Sequence, residues 1–194
     1  MSEFLVYFQL GFQHISDLAA YDHILFIVAL CAVYQVEDWR RILVLVTAFT
    51  IGHSITLALA TLNIFTLPSE LIEFLIPVTI LITALFNVLR KDMNLRPQVM
   101  RQNYGIALFF GLIHGMGFSN YLRALLGQEE SIWKPLLAFN LGLELGQILI
   151  VAIIMGLSYV VLNIFKAQHR EWNLFISGAA AGIAFILMTQ TWVW

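Results

Sequence analysis

Charge is the scarcest feature of this chain. Of its 194 residues only 11% are Asp, Glu, Lys or Arg, against 60% hydrophobic. Soluble globular domains carry about 25% charged residues, so this composition excludes an ordinary water-covered surface. Cysteine is nearly missing too. Cys31 stands alone, which excludes an internal disulfide and any cysteine-rich metal site. The ten basic residues are few and hug the ends of apolar runs. That leaves no basic stripe for nucleic acid. The N-terminal stretch MSEFLVYFQLGFQH has no basic n-region and no small-residue cleavage site, so it does not read as a cleaved signal peptide. No ATP-binding P-loop pattern occurs.

What the chain does have is length of apolar run. A helix needs about 20 apolar residues to cross the roughly 30 Å hydrocarbon core. The runs predict an all-α, polytopic transmembrane helix bundle forming a single domain over 1–194. Six spans are expected, at 17–36, 41–62, 69–89, 103–126, 133–165 and 173–192. Ser16 or Asp17 would cap the first. The fifth is too long to stand upright, so it tilts, kinks or starts in the interface. Residues 4–14 are apolar but short, and read as an interfacial, re-entrant or seventh helix. The closing TWVW suits an interface anchor.

Loop charge gives an orientation. Arg40 and Arg41, then Arg90, Lys91, Arg96 and Arg101, then Lys166 and Arg170 fall in three loops on one side. The other side has Arg123 and Lys134, beside Glu129 and Glu130. The positive-inside rule makes the first side cytoplasmic, and both termini are then non-cytoplasmic. Pairs of glycines spaced by four (Gly111 and Gly115, Gly142 and Gly146, Gly178 and Gly182) predict close helix packing.

Against this apolar background, polar residues in the spans demand a reason. A polar or ionisable side chain in the bilayer costs a few kcal/mol unless paired. Four pieces concentrate them: GFQHISDLAAYDHILF, FTIGHSITLAL, FGLIHGMGFS and FNLGLELGQ. At 1.5 Å per residue, His23, His53, His114 and Glu144 lie about 9, 13, 18 and 16 Å below the outer ends of their expected spans. Four separate spans thus bring an imidazole or carboxylate to the outer or middle part of the membrane. Helical spacing puts Asn140, Glu144 and Gln147 on one stripe, and Thr50, His53 and Ser54 on another. His14 and Asp17 sit at the expected outer mouth. Asp22 is adjacent to His23, cannot share its direction, and is expected to hydrogen-bond a histidine from behind.

The candidate metal ligands are therefore His14, Asp17, Asp22, His23, His53, His114 and Glu144, supported by Thr50, Ser54, Asn140 and Gln147. Imidazole and carboxylate suit a divalent first-row transition metal ion such as nickel, cobalt, zinc, iron or manganese. They suit Cu(I) poorly, since soft sulfur ligands are nearly absent and Met116 is the one nearby thioether.

The four pieces together resemble the HupE/UreJ family of bacterial membrane proteins, in particular its second branch. The match runs through Gly11, His14, Asp22, His23, His53, Ser54, His114, Gly115, Asn140, Glu144 and Gln147, in order and over most of the chain. Ala20 stands where the pattern has glycine. The resemblance implies a nickel or cobalt permease of a bacterial inner membrane. Two other readings remain beside it: an intramembrane zinc-type hydrolase with Ser54 near the metal, and a haem-binding electron carrier. The expected partners are the metal ion and the lipid bilayer, with no nucleic acid. A homo-oligomer and a membrane partner both stay open.

Overall fold

The computed structural model describes residues 2–18, 21–91, 93, 96–126 and 132–192. Ala20, Glu129, Glu130 and Trp194 lie outside them. The described chain is helical throughout: α1 (Glu3–Ser16), α2 (Asp22–Cys31), α3 (Trp39–Thr61), α4 (Ser69–Leu89), α5 (Pro97–Gly117), α6 (Ser119–Leu126), α7 (Trp133–Tyr159) and α8 (His169–Gln190). A 3-10 turn, Val36–Asp38, leads into α3, and a π turn, Val160–Ile164, extends α7. Local signals set several of the starts. Ser2 caps α1 by accepting from the Leu5 N–H. Pro97 opens α5, where its missing N–H costs nothing. Gln168 and Glu171 form a capping box at α8.

Among the described residues four helical stretches are long and apolar enough to cross a membrane: Val36–Thr61, Ser69–Leu89, Trp133–Ile164 and His169–Gln190. A fifth is counted if α5 and α6, bent by 50° at Phe118, are taken as one span. The chain is thus a multi-pass membrane protein, but the six-span count is not confirmed. The expected span 17–36 is not one helix. Its helical part is α2, ten residues long, which covers only about 15 Å. Asp17 is the C-cap of α1, not the N-cap of a following span. The expected continuous span 103–126 starts earlier, at Pro97, and breaks at Phe118.

Helix directions follow from which residues meet. Gly11 faces the Phe139 carbonyl and Gly142 that of Phe8, while Gly146 meets Ile15 and Phe12. From Phe8 and Phe12 at Gly142 to Phe12 and Ile15 at Gly146 the numbers rise together, so α1 and α7 run parallel. Gly52 faces Leu108, Gly111 faces Phe49, and Gly115 faces His53 and Thr56, so α3 and α5 are parallel as well. At Gly11, Gly142, Gly52, Gly111 and Gly115 any Cβ would strike backbone, and at Gly146 the Ile15 side chain, which is why the sequence carries glycine there. His23 meets His53 and Phe26 meets Phe49, so α2 runs antiparallel to α3. Thr47 meets Glu144 and His53 meets Phe139, so α7 opposes α3 too. Helices α1 and α2 therefore run in the same sense and are separated by the break after Ser16. Such half-length helices place their free ends inside a bundle, where polar groups can gather.

The third glycine pair behaves differently. Gly178 and Gly182 on α8 have nothing within 4 Å of an added Cβ. The close packing expected of that pair is not made among the described residues. Instead α8 is tied to α4 and α2 by amides. Asn173 Nδ2 donates to the Asn87 carbonyl at 2.8 Å, and Asn87 Nδ2 donates to the Ala29 carbonyl at 2.7 Å. The second bond goes to a carbonyl near the end of α2 that also accepts from the Ala32 N–H at 3.3 Å.

Candidate metal centre

The break between α1 and α2 brings two histidines face to face. His14, in the last turn of α1, has its ring 4.7 Å from that of His23 in the first turn of α2. His53 of α3 completes the group, 6.1 Å from His14 and 6.4 Å from His23 by ring centroid. One ligating nitrogen from each of the three lies within 4.8 Å of the others. His53 is fully buried and His23 is 4% exposed.

The hydrogen bonds say which nitrogens are free to bind. His14 Nε2, His23 Nε2, both nitrogens of His53 and Nδ1 of His114 are buried without a hydrogen-bond partner. A buried polar atom left unsatisfied costs about 1–3 kcal/mol, so several at one place call for a ligand. His23 Nδ1 is bonded to Asp22 Oδ1 at 3.2 Å. A carboxylate only accepts, so the proton sits on Nδ1 and the Nε2 lone pair is free. Asp22 thus stands behind the ring of its own neighbour, on the side away from the free Nε2.

His114 lies next to this group, its ring 5.2 Å from His23. Its Nε2 is 3.0 Å from Thr79 Oγ1, and that hydroxyl donates to the Ile76 carbonyl at 2.7 Å. Thr79 has one proton and has spent it on Ile76. The imidazole must therefore donate through Nε2, which leaves the His114 Nδ1 lone pair unused. Thr79 was not among the residues read from the sequence. In VTILITALF, which also holds Thr83, it reads as a helix-bonded hydroxyl, and its position two residues after Pro77 is the local hint.

The other sequence candidates occupy different places. Asp17 and His14 line an open vestibule of about 630 Å3 with Gln13, Ser16, Phe118 and Tyr121. Phe118 stands at the bend between α5 and α6, its ring 4.1 Å from His14 and stacked on Phe139 at 5.0 Å. His14 and Phe118 thus form the wall between vestibule and buried imidazoles. Glu144 does not join that group. Thr47 Oγ1 donates to its Oε1 at 2.7 Å, and Thr47 lies about 9 Å along α3 from His53. Thr50 donates to Gln147 Oε1 at 2.7 Å. Ser54 and Asn140 turn back on their own helices, to the Thr50 carbonyl at 2.6 Å and the Leu136 carbonyl at 2.8 Å.

The fold and site define a class first: a multi-pass helical membrane protein with a buried imidazole cluster suited to a transition-metal ion. The chain belongs to the HupE/UreJ family, whose model, described as HupE / UreJ protein, matches residues 1–194. That family is associated with nickel and cobalt transport. No curated protein and no solved structure matches the chain.

Proposed function

We propose that this protein is an inner-membrane permease for a divalent transition-metal ion of the nickel or cobalt type, with the ion as its substrate. The observation that carries the reading is the set of partnerless nitrogens on His14, His23 and His53, at the inner wall of a vestibule lined by Asp17. A hydrated cation is drawn in by Asp17, meets His14 at the wall, and exchanges water for imidazole at His23 and His53. The His114 lone pair lies beside this group as an alternative ligand, so the ion need never be wholly released. Glu144 and Gln147, held by Thr47 and Thr50 on the inward stretch of α3, form the next polar station. Glu144 carries the charge that favours the cation there, or takes a proton as the metal leaves.

Proteoliposome uptake of Ni2+ and Co2+ tests the reading. The wild type should accumulate metal, and Glu144→Gln should fold and still bind metal at the imidazoles but lose most of its flux. Uptake by Glu144→Gln equal to wild type would remove the inner station. Stoichiometric tight metal with no flux in the wild type would favour the hydrolase instead.

The orientation that goes with this function has both termini and the vestibule on the non-cytoplasmic side. It rests on the segregation of eight of the ten basic residues into loops at one end. A C-terminal alkaline phosphatase fusion should therefore be active and a C-terminal green fluorescent fusion dark. The reverse pattern would invert the direction of entry.

A further inference from the structure

A second cavity lies away from the imidazoles, in the cleft between α2, α4 and α5. It encloses about 810 Å3, within the roughly 300–1,000 Å3 typical of small-molecule sites. Leu30, Val33, Ile106 and Phe109 give it apolar walls. Phe86, Leu89 and Phe109 at its lips are 64%, 73% and 56% exposed, so it opens on the side of the bundle, where acyl chains lie. Gly105 lines it, and a Cβ added there would meet nothing within 4 Å.

One end of the cleft is polar. Two of its groups are already satisfied: Asn103 Nδ2 donates to the Tyr34 hydroxyl at 2.8 Å, and Asn87 Nδ2 to the Ala29 carbonyl. Arg90 differs. Its Nη1 is buried and has no hydrogen-bond partner, although its backbone carbonyl is fixed by Arg170 at 2.8 Å. A guanidinium N–H turned away from water calls for an acceptor. The stretch RKDMNLRPQVMR that begins at Arg90 holds four basic residues and one acid, which favours an anionic acceptor.

We propose that this cleft binds one anionic phospholipid, with the phosphate on Arg90 and one acyl chain along the wall from Val33 to Phe109. Three properties coincide to select this occupant: an apolar trough open to the bilayer, a guanidinium nitrogen buried without a partner at its end, and a local surplus of basic residues in the sequence. The arginine fork matches phosphate oxygens, and basic pockets between transmembrane helices suit such headgroups. The site is separate from the metal reading and stands or falls without it.

Native mass spectrometry of the purified chain with added phosphatidylglycerol or phosphatidylcholine tests it. The wild type should retain phosphatidylglycerol about tenfold more tightly than phosphatidylcholine, which corresponds to ~1.4 kcal/mol. Arg90→Gln should erase the preference, and Arg90→Lys should keep part of it. Gly105→Leu fills the trough without a clash and should reduce retention of both lipids. Helical circular dichroism and gel filtration check that each variant is folded. Equal retention of both lipids by the wild type overturns the proposal, as does an undiminished preference in Arg90→Gln. Displacement of phosphatidylglycerol by inorganic phosphate alone would also overturn it, by showing an anion site in place of a lipid site.

Discussion

Replacing His53 by alanine should weaken divalent-metal binding by more than the ~10–100-fold that loss of an outer partner costs, while leaving the metal-free bundle folded. The two halves of that expectation have one cause. Both ring nitrogens of His53 are buried and partnerless, so in the absence of metal the side chain contributes packing but no hydrogen bond. Its removal opens a cavity, which destabilises, but also removes two unsatisfied polar atoms, which stabilises. The terms oppose, and thermal stability of the apo protein should change little. Metal affinity has no such compensation, because only His14 and His23 remain of the mutually close set. Asp22→Asn supplies the graded comparison. The amide oxygen can still accept from His23 Nδ1, but the negative charge behind the ring is gone, and affinity should fall within the ~10–100-fold range. Competition against a chromophoric chelator with Ni2+ and Zn2+ measures both variants. Unchanged affinity in His53→Ala would sink the three-histidine site. A loss in Asp22→Asn as large as in His53→Ala would make Asp22 a direct ligand.

The long helices were legible in the sequence because apolar length alone defines them. Segments α3, α4, α7 and α8 each carry an apolar run long enough to cross a bilayer. The break between α1 and α2 was not legible. Read by hydropathy, the stretch after Asp17 looks like the start of a span, and Asp17 like its N-cap. In the structure Asp17 ends a helix instead, because α1 is held along α7 by Gly11 and Gly142, a tertiary contact with no local signature. The break also sets the place of His14: packed along α7, α1 carries it to His23 while it still lines the vestibule. The histidines themselves were legible, since imidazoles in apolar runs are costly. Their grouping depended on the fold. His114 and Glu144 share similar sequence depth with His53, yet His114 is turned toward Thr79 and Glu144 toward Thr47.

The glycine pairs give the sharpest contrast between pattern and structure, and the second large effect. Gly142→Leu should destabilise the bundle by about 3 kcal/mol or more, at or beyond the upper end for overpacking. Its Cβ would collide with the Phe8 carbonyl and crowd the Phe12 backbone. Backbone within a helix cannot turn aside as a flexible side chain can, so α1 must move off α7 as a unit. His14 moves with it, and metal affinity should fall together with the melting temperature. Gly178→Leu has the same spacing motif in sequence but no neighbour within 4 Å. It should change stability by no more than about 0.5 kcal/mol, and the gain in helix propensity over glycine gives it a small stabilising tendency. Thermal unfolding in detergent, with metal titration of each variant, separates the two. Equal losses at Gly142 and Gly178 would mean that helix-wide effects of leucine dominate and that the α1–α7 contact is not close. A loss confined to Gly142, in both melting and metal binding, ties the imidazole site to the glycine seam that carries His14 to its place.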